Sequence, residues 1–400
     1  LTGPRKFLFV DLCNDPGSDR IVAELGRLGA HCELIAPPSS FAAKSRFVRK
    51  LYPLAERGGA ALRGLQLGRR LAAIVAASRP DILVPLDDLA ARALRDVRLY
   101  RRAGPDLRAL LKRSLGAPEH FDEICSRQGV LALAERIGVR APRAVVVPSL
   151  AVARRAAETL GYPVVLKREQ SAGGAGVVIC RDARDLTRAY RHGLAIAWAK
   201  RRLAAIPGFR ANEATPLILQ AFIPGQLAFR VSACADGIEL DGADFAAERR
   251  DPFETSASAY VSGVANAEMR DATRALISAL RCSGFVSLDF IVTAAGEAYL
   301  LELNARPIGS GHLGRLFGHD ILSALLRRCA AAPPPGPPPR LIALFPKALD
   351  RGGAIEPSRD VWHDEPADDP KVLEAYRAWL GRRHPERRPA PFPPRRASAG

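Results

Sequence analysis

No stretch of this 400-residue chain approaches the ~20 consecutive apolar residues that span a bilayer, so no membrane partner is expected. Residues 1–10 run straight into a strand pattern without the basic, apolar and cleavage regions of a signal peptide, which points to a cytoplasmic setting. The seven cysteines are odd in number and scattered, and no two have C-x-x-C spacing. Neither a zinc site of that kind nor a disulfide framework is signalled; the thiols fall in apolar segments, where they act as small hydrophobes. Lysine is scarce, at eight of the 59 basic residues. The net charge of +17 is therefore mostly arginine, spread along the chain and concentrated only over residues 382–396. A specific nucleic-acid surface would gather that charge on one stretch; spread out, it gives solubility and attraction for anions.

The length exceeds what one hydrophobic core organises, so two or three domains are expected. Residues 6–12 read as a buried strand, 21–28 as a helix closed by Gly29, 32–36 as a second strand, 62–77 as a helix and 81–85 as a third strand. Strands alternating with helices predict a parallel sheet, a Rossmann-like domain over residues 1–112. The first strand is not followed by G-x-G-x-x-G, so dinucleotide binding is not expected there. A helix is predicted over 121–137 and strands at 144–147, 163–167 and 177–180, with the glycine-rich 171–176 between the last two. Beyond residue 215 the pattern is β-rich: strands at 217–222, 229–235, 286–292 and 298–303, with a helix over 269–280. Residues 331–339 (AAPPPGPPP) read as a linker. Residues 341–380 regain some order, with a helix at 371–380, and 384–400 are Pro/Arg-rich and expected to be disordered.

Two segments carry chemistry. In PVVLKREQSAGGAGV, Gly173, Gly174 and Gly176 let backbone N–H groups approach an anion, and Lys167 ends the preceding strand. The order strand, glycine loop, strand is a hairpin and not a P-loop; alone it is as readily an ordinary turn. The second is Asp289 with Glu302 and Asn304, on two strands joined at Ala295-Gly296. The 13-residue separation places both carboxylates at one end of a hairpin, and Glu302 and Asn304, two apart, share a face. Two carboxylates and an amide oxygen make a hard site suited to Mg²⁺ (or Mn²⁺), whereas an unpaired Glu302 in the apolar YLLELN would be costly.

The lysine and glycine loop, followed by D-x12-E-x-N-x-R, resemble the ATP-grasp superfamily over roughly residues 113–330. The resemblance implies an α/β architecture in which the N-terminal Rossmann-like domain precedes a two-subdomain ATP-grasp core, with a small lid subdomain over about 143–219 and a Pro-rich linker and extension over 331–400. It implies that Asp289, Glu302 and Asn304 hold the metal, that Lys167 contacts the α/β phosphates of ATP, and that Gly173, Gly174 and Gly176 close over the β/γ phosphates. Arg127 takes the place of a basic residue for the nucleotide phosphates; on the residues alone it is also readable as a solvated helix charge. Gln220, Ala221, Phe222 and Ile223 resemble the hinge that holds adenine, with glutamine where the family often has glutamate. The ribose glutamate would fall at Leu227, with Gln226 as the nearest polar substitute. Arg306 resembles the arginine that meets the transferred phosphate. Gly311 and His312 follow at the expected edge of the site, and Arg230 is a candidate carboxylate anchor, or a solvated strand charge.

The implied activity is a ligase that activates a carboxylic acid as an acyl phosphate and passes it to an amine, with small-molecule substrates and a homodimer as a candidate assembly. The alternatives are a ligase using a thiol or bicarbonate, and a catalytically weak ATP-binding regulator, which the Leu227 departure favours. The composition of the C-terminal tail generates a separate expectation. Residues beyond Pro385 cannot bury enough apolar surface to offset their ordering entropy. A chain ending at Pro385 should keep the solubility and activity of the full chain; loss of either in a side-by-side assay would show that the tail docks.

Overall fold

The computed structural model describes residues 4–168, 176–204, 217–250, 255, 257–327, 337–350 and 361–385, the side chains of 196–204 excepted. The expected glycine loop up to residue 175, most of the proline-rich linker and the tail beyond 385 lie outside the described residues.

Four short apolar runs, β1 (Lys6–Val10), β2 (His31–Ala36), β3 (Val48–Pro53) and β4 (Ile82–Pro85), form a parallel sheet in the order β3-β2-β1-β4. Most of their side chains are apolar on both faces because both faces are covered. Phe7, Phe9 and Leu34 pack on the helix Asp19–Arg27, and Leu8, Val10 and Ile35 on the helices Gly59–Ser78 and Pro105–Leu115. The strand order reverses at β1, so a crevice opens beyond the carboxyl ends of β1 and β4. The loops at that crevice are residues 11–18 and 86–87.

A second sheet, antiparallel, comprises β5 (Ala144–Val146), β6 (Val164–Arg168), β7 (Val177–Cys180) and β8 (Leu217–Ala221) in the order β5-β8-β6-β7. The helices Leu150–Leu160 and Ala183–Ala204 cover one face through Ala153, Ala157, Leu186 and Tyr190. The third sheet has seven strands: β9 (Gln226–Ala235), β10 (Ile238–Arg250), β11 (Ser258–Val264), β12 (Gly284–Val292), β13 (Ala298–Asn304), β14 (Leu341–Ala343) and β15 (Val361–His363), ordered β13-β12-β9-β10-β11-β14-β15. Phe229, Val231 and Phe245 on this sheet join the same apolar cluster as Phe7 and Phe9. Among the described residues no helix is long and apolar enough to cross a membrane.

The structure departs from the sequence expectations in two places that matter for the site. The helix expected over 121–137 is broken into Phe121–Ile124 and Arg127–Arg136. Ser126 causes the break: its side chain accepts the Gly129 N–H at 3.0 Å, capping the second helix and making Arg127 that helix's first residue. The C-terminal segment, expected as an extension after the linker, instead completes the large sheet, with β14 pairing antiparallel to β11 and β15 parallel to β14.

Buried contacts tie that segment to the β1 loop. Tyr376, in the helix Pro370–Arg383, is fully buried, with its ring stacked 4.0 Å from that of Phe41. Its hydroxyl accepts the Gly17 N–H at 2.7 Å and donates to the Asp19 carboxylate. Alongside, the buried Asp364 carboxylate pairs with Arg20 and with His312 Nε2, the latter at 2.8 Å. Tyr376→Phe removes a buried hydroxyl and leaves the Gly17 donor and the Asp19 carboxylate without it. It should lower the free energy of unfolding by about 1–3 kcal/mol. Urea melts of the two proteins measure this, and a change under about 0.5 kcal/mol, the size of an ordinary surface substitution, would mean that the hydroxyl is not holding the loop.

Candidate active site

A cleft of about 690 Å³ separates the four-stranded antiparallel sheet from the large sheet and runs on to the crevice of the parallel sheet. Its middle is charged. In the β12–β13 hairpin Asp289 lies directly opposite Glu302, and Lys167, near the end of β6, comes from the other sheet. Arg127 is delivered by the start of its helix: one Nη donates to the Arg168 carbonyl at 2.7 Å and the other to Glu302. All four side chains, and Asn304, line the cleft.

The electrostatics follow from burial. Burial, then the neighbouring Glu302 charge, pushes Asp289 well above the usual carboxylate range. Glu302 feels the same burial, but the Arg127 guanidinium holds it below its ordinary value. The two carboxyls hydrogen-bond each other. Burial and the Arg127 charge together push Lys167 down to about 8. Among the described residues no group of three or more His, Cys, Asp or Glu side chains is placed to hold a metal, so the donor set here is two carboxylates and one amide. Two carboxylate groups and an amide oxygen brought together in this way fit a hard divalent cation. The two cations beside it suit a polyanion.

On one side of this centre the cleft becomes a slot. Val165, Val177 and Ile179 form one wall, Leu227, Ile291 and Leu301 the other, and residues 220–223 close its back. Gln220 is buried there, and its Nε2 has no hydrogen-bond partner among the described residues. A buried amide donor left unpaired in an apolar slot is costly unless a ligand meets it. Gln226 does not stand in for the missing ribose carboxylate. Strand alternation turns its side chain away from the cleft toward the Ala247 carbonyl and Glu248, both 3.4 Å away, while Leu227 faces in.

Other expected residues are placed differently. Arg306 lines the cleft and forks onto Asp88, with Nε and Nη2 donating at 2.6 and 3.1 Å. Arg230 does not reach the cleft: it alternates with the inward-facing Phe229 and is held on the far face by Glu239 and Asp244, at 2.8 and 2.7 Å. It is neither a solvated charge nor positioned as an anchor in this cleft. His312 lies behind the wall rather than at its edge, buried against Asp364, and Gly311 makes a turn with its N–H on the Ile308 carbonyl. Gly309 and Ser310 line the cleft in their place. Gly176 has φ of +91° and begins the return strand; Gly173 and Gly174 lie outside the described residues.

The residues that sequence reading missed cluster at the other end of the cleft: Asp15, Gly17, Ser18 and Asp88 from the parallel-sheet crevice, and Lys347, Asp350, Trp379 and Arg383 from the C-terminal segment. The N-D-P-G-S turn after β1 and the Asp87-Asp88 pair after β4 were legible signals, since ligands of open parallel sheets sit at the carboxyl ends where the strand order reverses. The C-terminal residues gave no comparable local signal.

The family model of the carbamoyl-phosphate synthase L chain, ATP binding domain, matches residues 127–203, the segment that includes Arg127 and Lys167. The 2-oxoglutarate carboxylase small subunit of Hydrogenobacter thermophilus is 26% identical over 221 residues, covering 48% of this chain and 44% of that protein. The chain thus spans less than half the length of that curated relative. Among solved structures, the biotin carboxylase domain of Hydrogenobacter thermophilus 2-oxoglutarate carboxylase, in complex with MgADP, ADP and bicarbonate, superposes with a TM-score of 0.60 at 18% identity, covering 83% of this chain and 72% of that one. The L-amino acid ligase from Bacillus licheniformis gives 0.55 at 17% identity, covering 81% and 75%.

The buried lysine generates a stability prediction with a definite sign. Its pKa of about 8 in the folded protein lies below the ordinary 10.5, so below pH 8 the fold carries a buried charge that the unfolded chain would solvate. Between pH 8 and 10.5 the unfolded state binds more protons, and stability rises with pH. Lys167→Met should therefore be more stable than the parent at pH 7 by on the order of 3 kcal/mol, because each tenfold loss of proton affinity on folding costs about 1.4 kcal/mol. That advantage should shrink as both proteins are melted at rising pH through this window. A pH-independent difference would contradict the buried lysine with its lowered pKa.

Proposed function

We propose that this chain, which has the fold of the ATP-grasp superfamily, is an ATP-dependent ligase that activates a carboxylic acid as an acyl phosphate and joins it to an amine. One observation carries the reading: Asp289, Glu302 and Asn304 on one sheet confront Lys167 on the other across a cleft whose apolar slot ends at a Gln220 amide nitrogen with no partner among the described residues. A nucleotide fits that arrangement, with its base in the slot and its phosphates at the charged centre.

In the reaction an oxygen of the acid attacks the γ-phosphorus, the bond to the β-phosphate oxygen breaks, and ADP leaves. The amine nitrogen then attacks the acyl carbon, the carbon–oxygen bond to phosphate breaks, and phosphate leaves as the amine gives up a proton. Lys167 and Arg127 hold the phosphates against the sheet and offset their charge. Arg306 lies next along the cleft toward the substrate end, where its guanidinium fork suits the transferred phosphoryl group. Asp289, Glu302 and Asn304 would hold Mg²⁺ or Mn²⁺, which when bound draws negative charge off the phosphate oxygens. The substrates are then small molecules, and a cytoplasmic location with its ATP supply suits the activity.

Asp289→Ala and Glu302→Ala should each lower ATP turnover by roughly a hundredfold or more, the loss of several kcal/mol of charge stabilisation, while the melting curve stays cooperative. Full activity in either variant at matched Mg²⁺ would remove the metal assignment. With an acid and amine supplied, ³¹P NMR of the spent nucleotide should show ADP and phosphate. AMP as primary product would refute the acyl-phosphate route.

A further inference from the structure

Arg95 is a buried guanidinium that, among the described residues, has no carboxylate against it. It is 2% exposed, and its side chain donates only to main-chain carbonyls: Nη1 to Ala305 at 3.0 Å and Ala91 at 3.4 Å, Nη2 to Leu115 at 3.4 Å. Nε has no partner among the described residues. The groups that bear on its charge are the thiols of Cys125, Cys234 and Cys282, which burial keeps protonated. A buried cation held this way is costly, and packing alone would be served better by an apolar side chain. The identity of the three carbonyls says what the cation holds in place.

Two of them brace Arg95 itself. Ala91 lies one turn back in the helix Asp88–Leu94, which Arg95 closes with its own N–H on the same carbonyl, and Leu115 ends the helix Pro105–Leu115. The third belongs to the peptide bond between Ala305 and Arg306, directly after Asn304. A planar peptide held at its oxygen sets the course of the backbone into the next residue. Arg306 in turn forks onto Asp88, the first residue of the helix that Arg95 closes. That helix start is itself fixed: the Asp87 carboxylate accepts the N–H groups of Ala90 and of Leu12 and Cys13 in the loop after β1. One short helix thus grips residue 306 twice, by its side chain at Asp88 and by its backbone at Arg95. We infer that Arg95 is a positioning residue: by holding the Ala305 carbonyl it sets where the Arg306 guanidinium stands in the cleft. It does not line the cleft and touches no substrate. The inference rests on the ligase reading, in which Arg306 meets the γ-phosphate, and makes that contact depend on a residue outside the cleft. A displacement of the order of 1 Å is enough to weaken such a contact.

Binding of two nucleotides separates this role from general support of the fold. Calorimetry on the full chain with Mg²⁺ compares ADP with β,γ-imido-ATP, and the ratio of their affinities reports contacts to the γ-phosphate. Arg306→Met should lower that ratio about tenfold, the loss of one charge-assisted contact. Arg95→Met should lower it roughly threefold or more while ADP affinity moves less than about twofold. Arg95→Lys keeps the charge but not the fork, and should fall between Arg95→Met and the parent. In the double variant Arg95→Met should add nothing to the loss from Arg306→Met, because it acts through that side chain. Leu107→Ala, a core truncation in the helix Pro105–Leu115, should lower the melting temperature and leave the ratio alone. A parental ratio in Arg95→Met, equal losses for both nucleotides, additive losses in the double variant, or a comparable fall in Leu107→Ala would overturn the positioning role. Should Arg95→Met not fold, Arg95→Lys carries the test, and a parental ratio there overturns the role. A parent that binds neither nucleotide, or an unchanged ratio in Arg306→Met, would overturn the ligase reading of Arg306 and this inference with it. Failure confined to the Arg95 variants leaves that reading standing, so the two failures are distinguishable.

Discussion

Two carboxylates facing each other inside a cleft, with an arginine and a lysine brought to them from elsewhere, impose the constraint around which this molecule is arranged. Burial and the neighbouring charge push Asp289 up, while the Arg127 guanidinium holds Glu302 below its ordinary value. Each member of the set reaches it by a separate structural device. In the hairpin the register shifts between Asp289 and Phe290, and that shift sets the two carboxylates opposite each other. The Ser126 cap starts a new helix at Arg127, and the strand end of β6 carries Lys167 across from the second sheet. None of these side chains is placed to favour folding. The buried Asp289 and Lys167 are disfavoured in their charged forms, whereas Glu302 is compensated by Arg127.

How much of this could be read beforehand depended on the range of the interaction. Glu302 and Asn304 were legible as sharing a face because strand side chains alternate with a period of two, but the register shift between Asp289 and Phe290 that brings Asp289 opposite Glu302 was not. The parallel strands were legible as apolar runs between helices, although β3, with Arg49 and Lys50 in it, was not. The Ser126 break was hidden inside an apolar periodicity that continues on either side of it. Arg230 was ambiguous for a different reason. Its partners Glu239 and Asp244 lie on the next strand, and only the pairing register shows that they converge on it. Gln226 against Leu227 came down to which of two adjacent residues faces in. The C-terminal strands are three residues each and find their places only by pairing with a sheet formed earlier in the chain.

The same distinction of range separates the two ends of the cleft. The slot and charged centre are built from regular strands of two sheets, where backbone pairing fixes positions closely, and the matched ATP-binding segment begins at Arg127 and takes in Lys167. The other end is built largely from loops and from a helix that arrives last in the sequence. Loops would ordinarily make a poor substrate wall, since their backbone is less constrained than a strand's. Here they are pinned from behind by buried polar contacts: Tyr376 to Gly17 and Asp19, and Asp364 to Arg20 and His312. That network explains why His312, so near the cleft in sequence, faces away from it. Its imidazole helps to hold the C-terminal segment against the helix that follows the β1 loop, and the segment in turn presents Trp379 and Arg383 to the space beyond Arg306. The charged centre is set by strand pairing; the far end of the cleft is set by how the helix Pro370–Arg383 and Asp364 lock onto the β1 loop and the helix after it.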